Sequence, residues 1–265
     1  MVEKPLEQII ENYMAQLEAT SNLSDLRILL ESVCSMVAEK FGARDAEGRP
    51  RIASVLDALL KYPCLGCIVK SLRMLSEEDN VDLLYRENHS LAINLLTEAL
   101  RARLAAEGYT VEVEVSGRYG RLDVLIRPTN HGVIVYFGES GEVLVEVKSR
   151  SFSYSQIIRY LVEHPNTAMV IWRILPKQVF IVDGRRHRWL ILASIKAAIG
   201  RGLALLREEN FDCAHKVNSK NNAVITDAEG LVNDFLSSLE DTLPRVVEAV
   251  CRIIKHENTP LSQGV

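Results

Sequence analysis

The chain has 265 residues, 48% of them hydrophobic and 25% charged, with a formal net charge of −4 at pH 7. That length supports one large or two modest domains with a real core, and the composition is that of a globular protein, which excludes a disordered, collagenous or disulfide-built chain. A pI near 5.9 excludes the global basic field that accompanies tight non-specific nucleic-acid binding, though not a local basic patch.

The first ten residues, MVEKPLEQII, contain neither a basic leader nor a long apolar run, so no signal peptide is expected. No segment approaches the roughly 18 uninterrupted apolar residues of a membrane span, so no membrane partner and a cytoplasmic location are expected. Helical spacing starts early. Leu6, Ile9, Ile10, Tyr13, Met14 and Leu17 predict one helix, and Leu26, Leu29, Leu30, Val33, Val37 and Phe41 a second with Ser24 as its N-cap. GARDAEGRP (42–50) is a polar break. Ile52, Val55, Leu56 and Leu59 then mark a third helix ending at Pro63, and Ser76 to Asp79 read as an acidic helix start.

Residues 81–107 predict a long helix that stops at Gly108, where glycine tolerates the left-handed C-cap conformation. A strand, VEVEV, should follow and turn through SGRYG into a second, RLDVLI, with Asp123 roughly opposite Glu114. Asp123 and Glu146 are 23 positions apart (146 − 123), which leaves room for a hairpin around Val133, Val135 and Phe137 before VLVEVK. After a helix carrying Gln156 and Tyr160, AMVIWRI and QVFIVDG predict two more strands around Pro176. Residues 190–209 and 228–256 return to helical periodicity across a polar loop, HKVNSKNN, and the tail ENTPLSQGV reads as flexible. The fold class is therefore α/β: a mixed central sheet flanked by helices, with helical N- and C-terminal extensions. The boundaries that follow are 1–80, 81–190, 191–256 and a tail over 257–265.

The chemistry concentrates between Gly117 and Tyr160. Alternate residues of a strand share a face, so Glu146 and Lys148 project together, as do Asp123 and Leu125. VLVEVK and RLDVLI are apolar on both sides of their charges. Such strands are buried on both faces, and buried charges need a partner or a metal. If the two strands are neighbours, an aspartate, a glutamate and a lysine meet on one patch. Two adjacent carboxylates repel unless a cation lies between them, and hard oxygen ligands suit Mg²⁺ or Mn²⁺.

Asp123, the Glu146-x-Lys148 pair and the Gln156-x-x-x-Tyr160 pair, in this order, resemble the PD-(D/E)xK nuclease superfamily, in particular its RecB-like branch with the Q-x-x-x-Y motif. The resemblance covers about residues 87–182, and Leu122 stands where that superfamily loosely keeps a proline. It implies a restriction-endonuclease-like core and metal-dependent hydrolysis of DNA phosphodiester bonds, in DNA repair or defence. It further implies that Asp123 and Glu146 hold the metal, that Lys148 orients water or stabilises negative charge, and that Gln156 and Tyr160 position DNA or the site itself. An acidic residue on the preceding helix often completes such a site. Measured from the Gly108 turn, Asp123 lies about 20 Å away along the strand. Glu98 lies about 15 Å away along the helix and Glu87 about 31 Å. Glu98 is the expected third ligand, with Glu87 and His89 as alternatives, since RecB-like enzymes place a metal-binding histidine in this region.

Basic residues surround the presumed site: Arg118, Arg121, Lys148, Arg150 and Arg159, and the densest cluster, GRRHRW, spans Gly184 to Trp189. Such residues can meet phosphates. The helical extensions are surfaces on which a protein partner, a second copy included, could dock. Two other readings stay open: a nuclease fold that has lost catalysis and serves as a DNA-binding or scaffold subunit, and a structural ion network in an unrelated α/β protein. The five cysteines are scattered and odd in number, which predicts buried free thiols. Cys64 and Cys67 have metal-ligand spacing, but no second pair follows them. The related CRISPR adaptation exonucleases carry an iron–sulfur cluster held by one cysteine before the core and three after. Here only Cys213 and Cys251 come after, so no cluster is expected.

Overall fold

Three segments that are apolar on both faces become the inner strands of the computed structural model, which describes residues 5–74, 83–129, 141–211, 213 and 228–257. The strands are β1 (Tyr109–Gly117), β2 (Gly120–Pro128), β3 (Val143–Lys148), β4 (Ala168–Arg173) and β5 (Gln178–Asp183). They form a five-stranded sheet in the order β1-β2-β3-β4-β5, antiparallel throughout except for the parallel β3–β4 pair. A parallel pair requires a crossover, and the chain makes it through helix α6 (Tyr154–Glu163). The inner strands are buried almost end to end, whereas the edge strands β1 and β5 alternate with solvent. The fold is therefore α/β with a mixed sheet flanked by helices.

The remaining helices are α1 (Leu6–Ala19), α2 (Leu23–Phe41), α3 (Ile52–Lys61), α4 (Leu65–Arg73), α5 (Leu83–Leu104), α7 (Arg188–Arg207) and α8 (Ala228–Glu257). Helix α2 is capped by Asn22, whose Oδ1 accepts from the Ser24 N–H at 3.0 Å, and not by Ser24 as expected. A capping side chain must reach back to a backbone N–H two or three residues on, which Asn22 does here. Gly42 (φ 70) and Gly108 (φ 76) take the left-handed conformation where α2 ends and where the chain turns from α5 into β1. The expected helix start at Ser76, the hairpin at Val133–Phe137, the HKVNSKNN loop and the tail beyond Glu257 lie outside the described residues.

The chain divides into two compact units, each assembled from several segments. One comprises Met1–Asp79, Tyr154–Glu163 and Trp189–Asn222; the other comprises Asn80–Ser153, His164–Arg188 and Ala223–Val265. Helices α6 and α7 thus join the N-terminal helices, and α8 joins the sheet. Sequence neighbours part because burial, not chain order, decides which helix packs where. In the helical unit α7 buries Ile191, Ile195, Ile199 and Leu203. A Cβ on its Gly202 would meet Val33 Cγ1 at 2.4 Å, so glycine is what lets α7 close on α2. By length and composition α7 is the one described helix that could cross a membrane. Lys196 and Arg201 interrupt it, and its apolar stripe is spent on this packing.

In the sheet unit, Ala92, Ile93, Leu96, Leu100 and Leu104 of α5 pack with Val124, Ile126, Val145, Val147 and Trp172, and α8 adds Phe235, Val246, Val250 and Ile254. Trp172 Nε1 donates to Thr242 Oγ1 at 2.7 Å, which satisfies the indole inside this core.

Candidate active site

Asp123 and Glu146 come together through the register of β2 on β3. Val124 pairs with Val145, Leu125 with Leu144 and Ile126 with Val143, so Asp123 falls opposite Glu146 as the next position in line. The ladder stops there because the Asp123 side chain takes over a backbone partner: its Oδ2 accepts the Val147 N–H at 2.8 Å. On the other side, β1 pairs Val113 with Val124 and Val115 with Leu122, so Glu114 lies across from Asp123 as expected. Glu114 itself adopts φ 51, which is unusual for a residue with a Cβ. Strain of this kind often collects where a site is assembled.

Both carboxylates are buried, Asp123 to 8% and Glu146 to 2% exposure. Charges that deep must be compensated, and each has a partner. Lys148 Nζ, two residues along β3, forms an ion pair with Glu146 Oε1. His89 Nε2 lies 3.3 Å from Asp123 Oδ1. The end of β3 is held in turn by Ile174 N–H to Lys148 O (2.8 Å) and Leu175 N–H to Ser149 O (2.9 Å), which fix where Lys148 leaves the strand.

Helix α5 thus brings His89 to Asp123. Glu98 is exposed, nine residues further along, about 13.5 Å down the axis and half a turn away. Glu87 is exposed as well, two residues before His89 and on another face. The reason is helical phase. His89 precedes Ala92 and Ile93 by three and four residues, which makes it the first member of the stripe that continues through Leu96 and Leu100 into the core. Glu87, Leu91 and Glu98 lie on the outer face, and Leu95 borders the core. Distance along the helix favoured Glu98; phase, legible in the same residues, places His89 beside Asp123.

Gln156 and Tyr160 belong to the helical unit. Gln156 Nε2 donates to Tyr160 Oη at 3.0 Å, as i, i+4 neighbours can. On the same helix Ser155 Oγ donates to Asp57 Oδ1 at 2.7 Å, and Arg159 Nε lies 3.3 Å from that oxygen. Arg159 is therefore already neutralised, and Arg121 lies 3.5 Å from Glu114. Arg185, Arg186 and His187, on a turn whose start is capped by Asp183, and Arg188 and Trp189, which open α7, are all exposed.

As a donor set, two carboxylates and an imidazole suit a hard divalent ion, with the imidazole favouring Mn²⁺ over Mg²⁺. Asp123 Oδ1 faces the His89 ring, Asp123 Oδ2 the Val147 N–H and Glu146 Oε1 the Lys148 ammonium. Among the described residues, no three His, Asp or Glu ligand atoms lie mutually within 4.8 Å. The group that does close this tightly is thiol-based. Cys213 Sγ lies 3.0 Å from Cys64 Sγ and 3.0 Å from Cys67 Sγ. Bonds from Cys64 and Cys213, and then burial, push the Cys67 thiol up to about 12. The sequence pairs Cys64 with Cys67 through their spacing; the third sulfur comes from 146 positions away (213 − 67) and had no local signal.

Compared with protein-family models, with curated proteins and with solved structures, this chain matches none.

Proposed function

We propose that the protein is a divalent-metal-dependent deoxyribonuclease of PD-(D/E)xK type that acts on DNA in the cytoplasm. The observation that carries this reading is the pair of buried carboxylates, Asp123 and Glu146, in register on adjacent strands, with Lys148 ion-paired to one and His89 on the other. An ordinary solvated strand face would leave these groups in water; these are buried.

Asp123, Glu146 and His89 would hold the ion. When bound, Mg²⁺ or Mn²⁺ supplies Lewis acidity toward a phosphodiester and lowers the pKa of the attacking water. The Val147 N–H and the His89 ring fix the two oxygens of Asp123, so the carboxylate is oriented before a ligand arrives. Lys148 keeps a positive charge at the mouth of the pair, where it can stabilise negative charge developing on phosphoryl oxygens. Gln156 and Tyr160 are assigned to holding the DNA backbone, and the exposed residues from Arg185 to Trp189, a turn and the start of α7, offer cations and an aromatic ring to phosphates and bases.

The test is cleavage of linear and circular DNA by the purified chain with Mg²⁺ or Mn²⁺, beside Asp123→Asn. Metal-dependent cutting that Asp123→Asn abolishes supports the reading. A second reading, a nuclease fold without catalysis that serves as a DNA-binding or scaffold subunit, is favoured by the engagement of every site carboxylate with protein donors. DNA binding without cleavage in any divalent ion would select it.

A further inference from the structure

From the convergence of Cys64, Cys67 and Cys213 on one another, we infer that the helical unit holds a single thiophilic divalent ion of the zinc class, which ties the start of α4 to the segment after α7. Thiols are weak donors and weak acceptors, so little is gained by bringing Cys213 Sγ to 3.0 Å from both of the others. Three thiolates around a cation gain a great deal. Cys34 and Cys251, buried separately in apolar surroundings, show what a core thiol of this chain looks like.

The surrounding residues make this a built site. Cys64 caps α4, and its Sγ accepts the Cys67 N–H at 3.3 Å. A Cβ on Gly66, between the two, would meet Cys213 Cβ at 2.4 Å and Phe211 O at 2.9 Å, so glycine is what admits the third cysteine. The segment that delivers Cys213 is pinned independently of sulfur. Lys40 Nζ donates to Leu205 O, Leu206 O and Glu208 O at 2.9, 3.1 and 2.9 Å. Phe41 meets Phe211 edge to face at 5.5 Å, and Lys70 Nζ donates to Cys213 O at 2.8 Å.

The size and the ligand number favour one ion over a cluster. Tetrahedral zinc with bonds near 2.3 Å spaces its sulfurs by about 3.8 Å; Cys213 Sγ lies 3.0 Å from each of the other two sulfurs, and all three lie within 4.8 Å of one another. A four-iron cluster asks for four thiolates. Of the other two cysteines, Cys34 is wholly buried in α2, where burial holds its thiol protonated, and Cys251 lies in the sheet unit. Binding is not a redox event: each S–H releases its proton to solvent as its sulfur coordinates.

The experiment is elemental analysis of the full-length chain purified without chelator, followed by cobalt substitution. One zinc per chain is expected, with the near-ultraviolet sulfur-to-metal band and tetrahedral visible bands on cobalt exchange. Cys67→Ser and Cys213→Ser should each lose at least tenfold in metal content, while Cys34→Ser and Cys251→Ser keep it. Should the first two fail to fold, stripping the wild type with a strong chelator provides the same reading: the melting temperature falls and zinc restores it. Metal-free protein that takes up no cobalt and shows three chelator-insensitive thiols would overturn the inference, as would several irons with inorganic sulfide.

Discussion

Lys148→Ala is the most informative single change, because it removes one half of a buried ion pair. The Glu146 side chain is 3% exposed and the Lys148 side chain 20%. Removing one partner of a buried pair costs about 3–5 kcal/mol, since the remaining charge stays buried and uncompensated; partial exposure of Lys148 places this pair near the lower end. For a protein of this size about 3 kcal/mol corresponds to a fall of about 6–12 °C in melting temperature. A divalent ion should reverse much of it. Ligand at a hundred times its Kd stabilises by about 2.7 kcal/mol, and the variant offers Glu146 without the competing ammonium. Mn²⁺ should therefore raise the melting temperature of Lys148→Ala more than that of the wild type, while the variant cuts no DNA. The assay is a thermal melt in EDTA and in Mn²⁺, beside a cleavage assay. A variant that melts within about 2 °C of wild type in EDTA would refute the claim that Glu146 depends on Lys148. A shift that Mn²⁺ leaves unchanged would refute the claim that an ion can replace it.

Three other outcomes are expected. His89→Ala should weaken Mn²⁺ binding measured by calorimetry and slow cleavage, whereas Glu98→Ala, an exposed change on the other side of α5, should alter stability by no more than about 0.5 kcal/mol and leave cleavage alone; the reverse result would restore Glu98 as the ligand. Burial alone would raise the Glu142 carboxyl, but bonds from His164 (2.9 Å) and Arg127 (2.8 Å) outweigh it and hold the group below its usual range. A depressed folded value adds stability above the unfolded value near 4.3 and loses it as pH falls through the folded one. Glu142→Gln should therefore melt lower than wild type at pH 7 and show a shallower loss on acidification, as followed by circular dichroism; parallel acid profiles would contradict this. Gly202→Ala should cost about 1–3 kcal/mol by forcing α7 away from Val33, which a denaturant titration would show.

The elements that were legible in the sequence are those whose signal is local. The apolar runs around Asp123 and Glu146 announced strands buried on both faces, and both are buried. Gly108 announced the turn into β1, and counting from it placed Asp123 across from Glu114. Residues that needed rotation as well as distance were harder: Glu98 was favoured along the helix axis, while the stripe through Ala92 and Ile93 pointed to His89. Contacts between distant segments had no local signature. Nothing near Cys64 announces Cys213, and nothing in α6 or α7 announces that they join the N-terminal helices while α8 joins the sheet.

If Asp123, Glu146 and His89 bind a divalent ion that DNA cleavage requires, occupancy and cutting must rise together. This is tested most directly by titrating the purified wild type with Mn²⁺ and following ion binding and DNA cleavage in the same samples, with Ca²⁺ and EDTA as controls. Cleavage should rise in step with occupancy of a site that Asp123→Asn abolishes, and Ca²⁺ should bind without supporting turnover because its looser coordination activates water poorly. Cleavage of equal rate in EDTA, or undiminished in Asp123→Asn, would contradict the account.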